Sequence, residues 1–193
     1  MRIGLDASPL TRNRAGIGTY VAHLLTALVR IAPDQEFFLY SPHLLPEKER
    51  AFFGAQPHVR IVRCPALLMG LRACWDRVDL FHGMNYKLRG RGRHGGIVTI
   101  HDLAMDRLGL PSRKLFGQRH SFRRTRLTAH RASRVVTVSA HSKKDIMELY
   151  GVPAERIAVV YNAVSSEFYP VSDPAMMVAV KTRYGLRRAT VIL

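Results

Sequence analysis

The sequence has only two cysteines in 193 residues, Cys64 and Cys74. That is too few for a disulfide framework or a cysteine-rich metal site, and two free thiols in a reducing compartment is the plain expectation. No apolar run approaches the ~18–20 residues of a membrane span. The opening Met1-Arg2-Ile3-Gly4-Leu5-Asp6 places an acid where a secretory signal needs an apolar stretch, so a cytoplasmic address is expected. Internal repeats and low-complexity segments are missing too. Acid is scarce: 14 Asp and Glu face 30 Lys and Arg, a net charge of +16. Such a balance suits an anionic partner, whether nucleic acid, an acidic membrane surface or a phosphorylated small molecule. Between Arg107 and Lys144 there are eleven Lys and Arg and no acid. What the chain has in quantity is apolar: 47% of its residues are hydrophobic, enough for a buried core in one large domain or two small ones.

The apolar residues come in short runs. Ile3 to Ser8 predicts a buried strand, followed by a polar loop over Thr11 to Ala15. Ile17, Tyr20, Val21, Leu24, Leu25, Leu28 and Ile31 then recur at helical spacing, and Ala32-Pro33-Asp34 stops that helix. Further strands are predicted at 36–40, 59–62, 79–82, 97–100, 135–138 and 157–161. Helices are predicted at 67–75, 113–133, 142–150 and 175–184. The helix at 142 is read from the capping-box spacing of Ser142-Lys143-Lys144-Asp145. Strands alternating with helices indicate parallel βαβ units, hence an α/β fold with a Rossmann-like, doubly wound, mostly parallel sheet. Ser165 to Pro174 reads as a connector, and Ala189 to Leu193 as the first strand of something further. The expected division is therefore 1–170 for the main domain and 171–193 for a connector and the start of a second one.

Several positions could carry chemistry. Gly16-Ile17-Gly18 opens a helix, where backbone N–H groups favour an anion and glycine lets it approach. A dinucleotide fingerprint would need glycine at Val21 and a shorter loop, so the motif does not specify NAD. His101-Asp102 follows the strand at 97–100, at the sheet edge where open α/β folds bind ligands. A satisfied turn would leave the same residues there, with Asp102 capping and His101 bonded to a carbonyl. His82-Gly83 holds a similar rim position. Ser139 ends one strand and Ser142 with Lys143 begins a helix; hydroxyls there could meet a substrate or merely cap. In the basic segment, Leu115, Phe122 and Ala129 mark one stripe, and Arg119 and Arg126 fall on it as well. Membrane-surface binding, an anionic-substrate wall and a solvated basic face are all open for this segment. Nucleic acid has no support beyond charge, since no helix-turn-helix, zinc-finger spacing or aromatic RNA-binding motif is present.

Taken in order, Gly-Ile-Gly-Thr-Tyr at 16–20, Asp79 to His82, Thr99-Ile100-His101-Asp102-Leu103, Val138-Ser139 to Asp145, and Val159-Val160-Tyr161-Asn162-Ala163-Val164 resemble a known family. It is the N-terminal, acceptor-side domain of the retaining glycosyltransferases of family 4, or group 1, which have the two-domain GT-B fold. The resemblance covers residues 1 to about 170. It implies a hexosyltransferase-type enzyme half that takes a nucleotide-sugar co-substrate, needs neither cofactor nor metal, and transfers to a sugar or lipid-linked acceptor. A C-terminal donor-binding domain or partner chain is implied, without which this chain is inactive, and a cytoplasmic place, peripheral on the inner face of the membrane. By position, Gly16 and Gly18 fall on the loop near the donor phosphates, and His101 on the histidine beside the reacting hydroxyl. Asp102, Ser139 and Lys143 fall on the acceptor side. The family's usual Pro-Asn-Gly near the end of the domain is Tyr161-Asn162-Ala163 here. The alternative function is a basic binding module for anionic membrane or nucleic acid through 107–144.

Overall fold

The computed structural model describes residues 1–12, 15–108, 115–165 and 167–186, of which 115–122 as backbone only. The expected strand at 189–193 lies outside the described residues. Two compact units divide at Asn162, ahead of the expected boundary at 170: Met1–Asn162 and Ala163–Leu193.

Each short apolar run forms a strand. They are β1 (Arg2–Asp6), β2 (Glu36–Ser41), β3 (Val59–Arg63), β4 (Leu80–Gly83), β5 (Gly96–Thr99), β6 (Arg134–Thr137) and β7 (Ile157–Val159). They join one seven-stranded sheet in the order β3-β2-β1-β4-β5-β6-β7. Every pairing is parallel. The sheet is buried on both faces under β1 and β2, which explains why Phe37-Phe38-Leu39-Tyr40 is apolar throughout rather than alternating. Phe37 and Leu39 pack with Leu5, Val21 and Leu25 beneath helix α1 (Gly16–Ile31). Phe38 and Tyr40 turn to the opposite face, with Phe81, and meet Met69 and Ala73 of α3 (Met69–Trp75). A third cluster joins Val98, Ile100, Val135 and Ile157 to Ala129 of α5 (Leu115–Arg131), to Ala132 just after it, and to Ile146 and Tyr150 of α6 (Ala140–Tyr150).

Three local expectations are revised. Glu47–Gly54 is a helix, α2, that the sequence pattern does not show; its single deeply buried apolar anchor is Phe53. α6 starts at Ala140, and its cap is Ser139, whose backbone is extended and whose hydroxyl accepts from the Ser142 N–H at 3.0 Å. Ser142 is thus in the first turn, and Asp145 faces Arg107 at 3.4 Å instead of closing a capping box. On α5, Ala129 and Thr125 are buried but Arg126 is exposed, so Arg126 is not on the buried stripe; the side chains of Leu115, Arg119 and Phe122 lie outside the described residues. A five-residue helix, α4 (Ala104–Leu108), follows the His101-Asp102 turn, and α7 (Pro174–Arg183) lies in the second unit, capped by Asp173.

Candidate functional site

The chain runs outward from β1 through β2 to β3, then returns to β4 and continues to β7 on the other side. At the β1/β4 boundary the strand order reverses, and the loops leaving the carboxyl ends of those strands part there to leave a crevice. The residues at this edge are Asp6 to Ser8 after β1, His82 to Met84 at β4, His101 and Asp102 after β5, and Ser139 and Ser142 after β6.

His101 is buried, and each contact fixes its ring. Nε2 lies 3.1 Å from the Met84 carbonyl. A carbonyl can only accept, so Nε2 carries the hydrogen and Nδ1 is the unprotonated nitrogen. Nδ1 has no hydrogen-bond partner among the described residues. The ring is edge-on to two tyrosines, Tyr20 at 4.9 Å and Tyr86 at 5.6 Å between centroids. Burial lowers the imidazole pKa, against smaller raising effects of the Met84 carbonyl and Asp102. Its own carbonyl accepts from the Ser142 hydroxyl at 3.0 Å, tying it to the first turn of α6.

Tyr20 belongs to α1, one turn beyond Gly16, so its contact brings the start of α1 beside His101. Ala15, the capping residue of α1, offers no side-chain acceptor to the first-turn N–H groups. A Cβ on Gly16 would meet nothing within 4 Å, so packing within the described residues does not require glycine there. Asp102 is exposed. Its carboxylate accepts from the Ala104 N–H at 3.1 Å and the Tyr86 hydroxyl at 3.2 Å. The turn-capping arrangement is therefore present, together with an imidazole nitrogen that bonds to nothing among the described residues. Ser139 is spent on capping α6. Lys143 is held away from this group, its ammonium donating to the Ile157 carbonyl at 2.9 Å on β7.

Three features of the edge were not read from the sequence. His82 Nε2 contacts the Thr99 hydroxyl at 2.8 Å, and burial holds its pKa down at about 4. Asp6, buried at the end of β1, receives the Arg89 guanidinium at 2.9 Å, which also donates to the Ser8 hydroxyl at 2.9 Å. This pair stitches the β4–β5 loop across the crevice. The two tyrosines that fix His101 come from positions 20 and 86, one helical and one in a turn. No local spacing links these groups; the one signal was His82's place at the end of a strand.

Among the described residues no cluster of three or more His, Cys, Asp or Glu could hold a metal ion.

Residues 14–168 match Glycosyltransferase Family 4. The chain belongs to that family. It is 26% identical over 216 residues to the O-antigen chain mannosyltransferase B of Escherichia coli, a match that takes in 96% of this chain and 53% of that protein. Among solved structures it resembles Anabaena Alr3699/HepE in complex with UDP, with a TM-score of 0.62 at 17% identity, covering 95% of this chain and 50% of that one. A glycosyltransferase from Rickettsia africae ESF-5 follows with a TM-score of 0.55 at 12% identity, covering 98% and 50%. The chain thus spans about half the length of these relatives, and its sheet is the N-terminal Rossmann-like half of a GT-B glycosyltransferase.

Proposed function

We propose that this domain holds the acceptor side of a glycosyltransferase that moves a hexose from a nucleotide-sugar donor to a sugar or lipid-linked acceptor, with retention at the anomeric carbon. The observation that carries the reading is His101: a neutral imidazole at the carboxyl edge of the sheet, its tautomer set by Met84, with Nδ1 free to accept. The nucleotide-sugar class is supported by the family and by a solved relative holding UDP-glucose. The donor would be held mainly by a second domain or partner chain, so this chain alone would not turn over; the enzyme would work on the cytoplasmic side.

The steps follow from charge. Breaking the anomeric C–O bond leaves negative charge on the diphosphate. The uncapped N–H groups at Gly16 to Gly18 would stabilise it, a helix N-terminus being the positive end of the macrodipole. The acceptor hydroxyl would donate a hydrogen bond to Nδ1 of His101. As the hydroxyl oxygen attacks from the leaving-group face, its O–H would turn from Nδ1 to the departing phosphate oxygen, which takes the proton, so His101 holds the hydroxyl beforehand and need not itself become charged. Asp102 would line the acceptor side.

The alternative of a basic binding module is weakened by the fold. Arg107 is paired to Glu148 at 2.7 Å and Asp145 at 3.4 Å, Lys144 to Glu148 at 3.8 Å, and Lys143 is engaged by a carbonyl. The acid-free stretch of sequence is therefore partly neutralised in space at both ends.

The test uses the chain joined to a donor-binding half. His101→Ala should cut turnover about 10²-fold while leaving nucleotide-sugar affinity and the thermal midpoint near normal. Near-normal transfer by the variant would defeat the assignment, and a collapsed midpoint would make His101 structural.

A further inference from the structure

Among the described residues two that are not glycine hold left-handed backbone, Arg77 at φ 53° and Tyr86 at φ 54°. Such a φ is uncommon for a bulky side chain and persists only where the surroundings require it. Arg77 directly follows the capping residue of α3 (Met69–Trp75), and the end of a helix accounts for it. Tyr86 ends no helix. It lies three residues beyond β4, in a turn tied down at two points. A Cβ on Gly83 would run into the Lys87 carbonyl, so the turn folds closely back over the end of the strand. The Tyr86 N–H donates to the Thr99 carbonyl at 3.0 Å, which fastens the turn to β5.

What this conformation delivers is the phenol. Its oxygen accepts from the Asp102 N–H, and its hydrogen goes to Asp102 Oδ2, both at 3.2 Å. Burial and the carboxylate beside it push the Tyr86 pKa up to about 12, so the hydroxyl keeps the hydrogen that it donates. The other carboxylate oxygen, Oδ1, accepts from the Ala104 N–H at 3.1 Å. One contact at each oxygen fixes the carboxylate and leaves each oxygen able to accept another. Asp102 is exposed, and among the described residues no salt bridge involves it. The same tyrosine ring stands against His101 at 5.6 Å between centroids. One side chain therefore sets both the imidazole and the carboxylate that follows it in sequence.

We propose that Tyr86 and Asp102 set the class of acceptor: an uncharged sugar, one hydroxyl of which reacts at His101 while a second donates to the carboxylate that Tyr86 holds. Tyr86 is a positioning residue that acts through Asp102. The inference rests on the transferase reading and narrows its acceptor. A hydroxyl has a hydrogen to give to a carboxylate, whereas a phosphate, or the carboxylate of a uronic acid, brings charge of like sign. The chain's net charge of +16 draws anions in, and this acid opposes that field locally. A lipid-linked acceptor would then react through its sugar and not through its phosphate.

The chain joined to a donor-binding half is supplied with UDP-glucose or GDP-mannose. It is offered methyl glycosides of mannose, glucose, galactose and N-acetylglucosamine, the same sugars carrying a 6-phosphate, and a polyprenyl phosphate. The expected result is transfer to a neutral glycoside, with kcat/KM for its phosphorylated counterpart lower by about tenfold or more. Asp102→Asn removes the charge and places an amide N–H₂ where one oxygen stood, so it should bring the two classes within about threefold of each other. Tyr86→Phe keeps the ring against His101 and loses the hydroxyl. It should raise the KM for the neutral acceptor about tenfold while the donor KM and the thermal midpoint stay near normal. In an Asp102→Asn background the same change should add little, because Tyr86 acts through that carboxylate. Equal use of neutral and phosphorylated acceptors by the unaltered enzyme overturns the proposal, and so does transfer to the phosphates alone. An acceptor KM that Tyr86→Phe leaves unmoved would reduce the pair to a cap on the turn. His101→Ala separates this proposal from the reading beneath it. That variant should lower turnover with every acceptor and leave the ratio between classes as it was; normal turnover there, with the ratio still set by Asp102, would remove the role of the histidine and not that of Tyr86.

Discussion

His82 and His101 are both kept neutral by burial, and this has a cost on the acid side. An unfolded histidine takes its proton near pH ~6.5. The folded state refuses it, at His82 until about pH 4. Protonation therefore favours the unfolded chain: the stability tied to the neutral ring is complete above about 6.5 and is lost as pH falls towards 4. For His82 that loss is on the order of 3 kcal/mol, and His101 adds a loss of the same sign. In His82→Gln an amide can take over the contact to Thr99, so stability at pH 7 should fall by only about 1 kcal/mol, while the acid-side slope shrinks. Denaturant midpoints for both proteins between pH 4 and 7 check this; equal slopes would clear His82 of the effect. At the same scale, Arg89→Met would strand the buried Asp6 carboxylate. Since Arg89 is itself 25% exposed, the expected cost is about 2–3 kcal/mol, below that of a fully buried pair, and adding Asp6→Asn should return much of it. His101 and Asp102 were legible because they follow a β-branched run that had to be a strand. Arg89 and Asp6 were not, because 83 residues separate them and only the sheet brings them together.

At the scale of elements, the strands were legible wherever the apolar run was β-branched or unbroken, and all seven form near the expected positions. α2 was not. Glu47–Gly54 has two adjacent phenylalanines and no helical period, and it is a helix because Phe53 finds a place in the core. The start of α6 was misread for a different reason. Ser139 and Ser142 both suit a cap, and the choice rests on which backbone is extended, at 139 with φ −154 and ψ 157. Ser139 then does two things: it satisfies the Ser142 N–H, and it leaves the Ser142 hydroxyl to hold the His101 carbonyl. Ser139→Ala should therefore cost about 1 kcal/mol, as for a lost cap. In the assembled enzyme it should also lower turnover modestly, through loosening at His101. Ser139→Asp, which keeps a capping acceptor, should restore both. Failure of the aspartate to rescue would mean the hydroxyl has a direct role at the acceptor rather than a capping one.

Across the whole molecule, what places the site is the reversal of strand order between β1 and β4, which no segment of sequence displays by itself. The alternation of strands and helices announced a doubly wound sheet, but the crevice exists only once α3 carries the chain back across β2 and β1 to β4. The distribution of burial also says where the stability lies. All seven strands and the three apolar clusters belong to Met1–Asn162. α7, in the second unit, buries none of its residues, and Phe168 and Tyr169 are 75% and 65% exposed. The described residues beyond Ser165 are all exposed or half-exposed, and removing such residues removes little of the free energy difference between folded and unfolded chain. A chain ending at Ser165 should therefore unfold in one transition, with a midpoint within about 3 °C of the 193-residue protein, the shift that roughly 1 kcal/mol produces in a domain of this size. Its circular dichroism should lose the signal of about one short helix, α7. A drop of many degrees, or a second transition, would show that 163–193 supports the sheet, and the two units would then have to be treated as one folding body.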